Sequence, residues 1–294
     1  MPVVECLDVG GTHTRYALIE NEKVLVKERV ETRCENAQGL LDFIQEVCVR
    51  NRSRAGVSGV NVSCAVLPGP VRKGVLLNAP PLGLQYPLDF SCLEGVLGNA
   101  VIIENDLNAA VRTELEKGVG RTVDSFYLLA LSTGIGAGIV LNGKAVKGLA
   151  GEFGHCVLDA SSNAFLCACT RRGCWSAYSS GKGLEMQARA NGFEWSASGV
   201  FDHALNGHEI ACEIVKRARA FNARGLGVMV NALEVQAIVV MGSLGLNRFK
   251  EVVPLPGEVG CFTVNPVPRI VKTALADDLG WEGAYFLGMD FLDR

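Results

Sequence analysis

Asp8-Val9-Gly10-Gly11-Thr12-His13-Thr14-Arg15 lies between two apolar runs, residues 3–7 and 16–19. The order reads as strand, glycine turn, returning strand. Adjacent glycines let the backbone approach a bulky anion, and their N–H groups, with the Thr12 hydroxyl, can donate to phosphate oxygens. Asp8 stands where a hydrated metal ion can be held. Taken alone, the same residues read as an ordinary glycine hairpin, so the choice between hairpin and phosphate grip rests on the rest of the chain.

The chain has 294 residues, 49% of them hydrophobic, enough for two modest domains with buried cores. Its net charge is −3 with Lys and Arg scattered, so no basic footprint points to nucleic acid or to an anionic membrane. Small molecules and other subunits are the expected partners. The N-terminus shows neither signal peptide nor membrane span, and a cytoplasmic protein is expected. Of eleven cysteines, Cys6, Cys34, Cys48, Cys64, Cys92, Cys156, Cys212 and Cys261 are dispersed and are expected mostly as small buried hydrophobes. Spacing leaves open whether any form disulfides.

Strands are predicted at residues 3–7, 15–19, 23–30 and 57–63, around a helix at 36–51. A strand at 100–104 runs into a helix at 106–116, which puts Asp106 at the positive helix end. The order then restarts: strand 126–131, glycine turn 133–138, then strands 139–141 and 145–147 joined at Asn142-Gly143. Helices follow at 209–231 and 280–292, and a buried strand at 237–241 ends in Gly242-Ser243. This echo predicts two related lobes facing one cleft. The smaller covers 1–117, with a C-terminal helix at about 280–294 packing back on it; the larger covers 118–279.

Three constellations carry chemistry. Thr133-Gly134-Ile135-Gly136-Ala137-Gly138 offers a second hydroxyl and glycine cradle after a strand. It is neither the spaced glycine fingerprint of a dinucleotide helix nor a P-loop. Glu104-Asn105-Asp106-Leu107-Asn108 presents a carboxylate at a helix entrance: Asp106 is the candidate general base, with helix capping as its plainer role, and Asn105 can bond a polyol. His155, Cys167, Cys169 and Cys174 suit a tetrahedral structural zinc that clamps a loop, although buried thiols or a disulfide fit the spacing as well. Ser179-Ser180-Gly181-Lys182 contains Ser-x-x-Lys, but without the companion motifs of the penicillin-binding enzymes it reads as a loop entering a helix.

Together these motifs resemble the ROK sugar kinases (repressor, open reading frame, kinase) of the actin-like ATPase superfamily, over almost the whole chain. The resemblance implies an α/β, two-lobed actin-like ATPase (ribonuclease H-like) fold with an interlobe cleft and a zinc-binding loop. It assigns Asp8, Gly10, Gly11, Thr12 and Arg15 to the first phosphate turn, Thr133 and Gly134 to the second, and Gly242 and Ser243 to the adenosine side. It makes Asp106 the base, and Asn78, Asn105, Glu152 and His155 sugar ligands, His155 also binding zinc with Cys167, Cys169 and Cys174.

The chain departs from the family at Ala168 and Thr170, which replace glycines of the zinc loop. Ser176 stands where a second sugar-binding glutamate is usual, a lost contact of about 1 to 3 kcal/mol. The family's repressors carry an N-terminal helix-turn-helix, whereas this chain opens on the first strand, so a kinase is expected. The expected activity is ATP-dependent phosphorylation of a hexose or hexose derivative at the 6-hydroxyl, as in glucokinases and hexokinases, with Mg²⁺ near Asp8 and structural Zn²⁺, in a homodimer. Competing readings are a non-catalytic sugar sensor, a kinase for an N-acetylated or other atypical hexose because of Ser176, and a plain ATPase.

Overall fold

In the computed structural model, residues 2–146, 151–275 and 279–293 are described. The predicted strand end Lys147 and helix end Arg294 lie outside them. Two compact units emerge, one of residues 2–117 and 279–293, the other of 118–146 and 151–275.

Unit one begins with β1 (Val3–Val9), β2 (His13–Glu20) and β3 (Lys23–Glu31), followed by α1 (Ala37–Ala55) and β4 (Val62–Leu67). A small sheet of β5 (Val71–Arg72), β6 (Val75–Leu76) and β7 (Leu88–Asp89) precedes α2 (Cys92–Leu97), β8 (Ala100–Asn105) and α3 (Asp106–Lys117). The main sheet has the order β3-β2-β1-β4-β8, antiparallel through β1 and parallel beyond it. Side chains of β1 alternate between two cores: Val3, Leu7 and Val9 join Leu40 and Ile44 of α1, while Val4 and Cys6 join Trp281 and Ala284. Covered on both faces, β1 and β4 need the nearly continuous apolar runs they have. Buried Glu5 is the exception, satisfied by Arg52 Nη2 at 2.7 Å, Tyr16 Oη at 2.8 Å and Ser63 Oγ at 2.6 Å.

The predicted strand at 57–63 is displaced. Asn36 caps α1 by accepting from the Gly39 N–H, and the helix runs past residue 51 until Gly56 turns left-handed at φ +66°. The strand is β4, buried at all its positions, and only its first two residues fall in the predicted stretch.

Unit two repeats the plan with β9 (Phe126–Leu131), β10 (Ile135–Leu141) and β11 (Lys144–Ala145). Helices α4 (Ser176–Ser179), α5 (Gly181–Ala190), α6 (Ala197–Leu205) and α7 (Glu209–Ala232) lead to β12 (Ala237–Met241). Then come α8 (Ser243–Asn247), α9 (Phe249–Val252), α10 (Pro256–Gly260) and β13 (Arg269–Lys272). The sheet order β11-β10-β9-β12-β13 copies unit one, with the same antiparallel-then-parallel pairing. The last helix, α11 (Leu279–Leu292), belongs to unit one, where it packs on α3, β1 and β4.

Two further expectations change. The glycine turn of 133–138 is shorter, because Gly136, Ala137 and Gly138 already pair with Ala130, Leu129 and Leu128 as part of β10. Among the dispersed cysteines, Cys6, Cys48 and Cys64 are buried, but Cys92, Cys212 and Cys261 are exposed; none of the eleven forms a disulfide. No described helix is long and apolar enough to cross a membrane.

Candidate active site

In unit one the β1–β2 turn is held by Gly10 N–H donating to the His13 carbonyl at 3.0 Å and by Thr32 Oγ1 donating to the Gly10 carbonyl at 2.7 Å. Both glycines are needed for space. A Cβ on Gly10 would stand 2.9 Å from the His13 carbonyl, and one on Gly11 would collide with the Pro81 carbonyl. Asp8 faces Arg15 across the hairpin, with Arg15 Nη1 3.2 Å from Oδ2. Burial raises the Asp8 carboxyl above the ordinary carboxylate range, and the Arg15 charge opposes that rise.

At the β8–α3 junction, Asn105 rather than Asp106 takes up the capping work. Asn105 Oδ1 accepts from the N–H groups of Leu107 at 2.9 Å and Asn108 at 3.3 Å, while its Nδ2 donates to the Gly69 carbonyl at 2.9 Å. Glu104 Oε1 braces the junction by accepting from Asn105 N–H at 2.8 Å and Asn108 Nδ2 at 3.0 Å. Asp106 Oδ1 shares the Leu107 N–H, at 2.9 Å. Its carboxyl is pushed up to about 7, first by burial and then by the Asp8 charge, against the pull of hydrogen bonds from the Leu107 and Asp106 N–H groups and the Asn105 side chain. Asn78 adjoins this junction, since its carbonyl fills the space where Gly69 would carry a Cβ.

Unit two gathers Thr133, Gly134, Gly242 and Ser243. The Ser132 and Thr133 carbonyls accept from the Gly181 and Lys182 N–H groups at 2.8 and 3.2 Å, which staples the β9–β10 turn to the start of α5. Ser132 Oγ lies 3.2 Å from Ser243 Oγ, and Gly242, left-handed at φ +84°, leaves no room for a side chain against the Leu131 carbonyl. Ser132, not among the predicted residues, is thereby brought beside them; its place in a Ser-Thr-Gly turn after a strand is the signal that could have marked it.

The turn carrying Glu152 and His155 sits below β10. A Cβ on Gly154 would collide with the Ile135 carbonyl and stand 2.5 Å from Ser176 Oγ. His155 Nδ1 is 3.6 Å from Cys167 Sγ, Cys169 Sγ is 3.6 Å from Cys174 Sγ, and the four ligand atoms lie within 4.8 Å of one another. Zn–S bonds of about 2.3 Å in a tetrahedron separate sulfurs by about 3.8 Å, so the donor set fits that ion. His155 Nε2 points the other way, 3.8 Å from Glu152 Oε2. Ser176 is 7% exposed, and its Oγ has no hydrogen-bond partner among the described residues.

Two sheets of one plan, each opening on a hairpin whose turn carries glycine and hydroxyl residues, define the α/β architecture of the actin-like ATPases. The sequence model of the ROK family matches residues 4–288, and the chain belongs to that family. The N-acetyl-D-glucosamine kinase of Yersinia pseudotuberculosis is 30% identical over 297 aligned residues, covering 95% of this chain and 97% of that protein. The N-acetylmannosamine kinase of Yersinia pestis is 29% identical, covering 82% of each. Among solved structures, the ROK hexokinase of Thermus thermophilus aligns with a TM-score of 0.79 at 26% identity, covering 97% of each chain.

Proposed function

We propose that this chain, an ATP-dependent sugar kinase of the ROK family, phosphorylates an N-acetylated hexosamine or a related hexose at its 6-hydroxyl, with Asp106 as general base. The observation that carries the reading is the Asp106 carboxylate: Asn105 does the capping, and burial and Asp8 raise its proton affinity to about 7. A base of that strength takes up the hydroxyl proton as the sugar oxygen attacks the γ-phosphorus and the bond to ADP breaks.

Asp8 is the proposed holder of Mg²⁺, which supplies charge neutralisation on the phosphates when bound. The turns at residues 10–12 and 132–134, with Arg15, present N–H, hydroxyl and guanidinium groups suited to phosphate oxygens. Gly242 and Ser243 are the proposed adenosine-side contacts. Asn78, Glu152, His155 and the second amide hydrogen of Asn105 are the proposed sugar ligands. His155, Cys167, Cys169 and Cys174 are the proposed structural zinc ligands, with no open position for chemistry.

The N-acetylated substrate is favoured over glucose by the relatives' activities and by Ser176. A glutamate is a charged acceptor for sugar hydroxyls, and a serine in its place leaves only a short neutral hydroxyl. Measuring ADP release with glucose, mannose, N-acetylglucosamine and N-acetylmannosamine tests the reading. The highest kcat/KM is expected on an N-acetylated sugar; a clear preference for glucose overturns that choice. Sugar binding without turnover would mark a sensor, and ADP release without sugar an ATPase.

A further inference from the structure

Asp8 is confined from two sides. Arg15 holds Oδ2 on one side at 3.2 Å. On the other, the carboxylate lies against the bare Cα of Gly280, in the first turn of α11. A methyl group there would stand 2.8 Å from Oδ1 and nearer still to Cγ and Oδ2. The backbone at Gly280 is not left-handed, so conformation does not demand a glycine, and glycine inside a helix is destabilising. What demands it is the approach of the carboxylate.

The helix cannot yield in place of the acid. Thr113 Oγ1 donates to the Leu279 carbonyl at 2.8 Å, Arg112 grips Asp290 through Nε and Nη2 at 3.1 and 3.0 Å, and Lys117 pairs with Glu282 at 2.8 Å. One turn on, the Cα of Gly283 lies against the Ala109 backbone with no room for a side chain. A group added at 280 therefore displaces Asp8 rather than α11. The positive end of the helix dipole also favours a carboxylate at this place.

We propose that Gly280 is a positioning residue: its bare Cα at the start of α11 fixes the Asp8 carboxylate in the orientation that meets the divalent cation accompanying ATP. This rests on the kinase reading above. The residue touches no reacting atom and acts through Asp8 alone.

The test compares wild type, Gly280→Ala, Asp8→Glu and Gly288→Ala. The last is a control on the same helix, whose methyl would stand 2.6 Å from Val4 Cγ1 and 3.3 Å from Val62 Cγ1, in the core only. Binding of a non-hydrolysable ATP analogue is measured by calorimetry with and without Mg²⁺, alongside thermal unfolding and initial rates. Wild type should gain affinity when Mg²⁺ is added. Gly280→Ala should lose roughly tenfold of that gain and of kcat, as expected for a misplaced group, with Mg²⁺-free binding and the KM for sugar unchanged. Asp8→Glu shifts the carboxylate by one methylene without altering α11 and should lose the gain too. Gly288→Ala should unfold at lower temperature with the gain intact. An unaltered Mg²⁺ gain in Gly280→Ala, or an equal loss in Gly288→Ala, overturns the proposal. Should wild type turn over no sugar, the kinase reading falls, while the calorimetric effect of Gly280→Ala still decides the positioning role.

Discussion

At the residue scale, two neighbouring side chains at the β8–α3 junction differ in their bonding: Asn105 caps the helix through the Leu107 and Asn108 N–H groups, and Asp106 is the proposed base. Asp106→Asn is accordingly expected to bind sugar almost normally and to lose about 100- to 10,000-fold in kcat; an active variant would refute the assignment. Because the base works ionised, kcat/KM should climb with pH and level off above about 7. Stability runs the opposite way. The folded carboxyl keeps its proton up to about 7, whereas the unfolded one releases it near about 4, so the unfolding free energy falls as pH rises between those values. Replacing Asp106 by Asn should therefore stabilise the fold by up to about 4 kcal/mol at pH 8, with little gain near pH 4. Urea unfolding at both pH values reads this directly.

At the element scale, the loop that carries the cysteines holds one residue under backbone strain. Thr170 donates its N–H to the Cys167 carbonyl at 2.9 Å while standing at φ +69°, a left-handed conformation that a β-branched residue adopts only under strain. Thr170→Gly should raise stability by about 0.5 to 1 kcal/mol and slow the loss of zinc to a chelator; faster loss would show that the loop does not turn on this residue. Elemental analysis should find about one zinc per chain, absent in Cys169→Ser.

Elements were legible in unequal measure. The runs Phe126–Leu131 and Ala237–Met241 are short, wholly apolar and bounded by polar residues or glycine, and they are strands at those bounds. The run at 57–63 failed because Val57 and Val60 imitate a strand, while the buried run that follows is the one paired on both sides. Glycines at 136 and 138 read as a turn because pairing with β9 leaves no local mark. In the site, the motifs are contiguous and could be read. The hold of Gly69 on Asn105, and of Gly280 on Asp8, joins distant segments and could not.

At the scale of the whole molecule, the chain closes unit one with its last helix. The sheet of unit one has α1 on one face, while its other face, carrying Val4, Cys6, Val62, Cys64 and Val66, is covered by Trp281 and Ala284 of α11. Unit two has its own core, built on Tyr127, Trp175, Leu226 and Ile238. Each large apolar side chain returned to water costs about 1.5 to 3 kcal/mol, so uncovering this face consumes most of the roughly 5 to 15 kcal/mol that holds a domain together. The same loss strips Arg112 and Thr113 of their partners on α11 and leaves α3, with Asp106 at its start, without its packing partner. A chain ending at residue 275 should therefore fail in one unit and not in the other. Limited proteolysis followed by mass spectrometry is expected to cut within residues 2–117 at low protease while residues 151–275 stay protected. Equal protection of both would mean that the sheet of unit one stands without α11, and equal loss would mean that the second core is not self-sufficient.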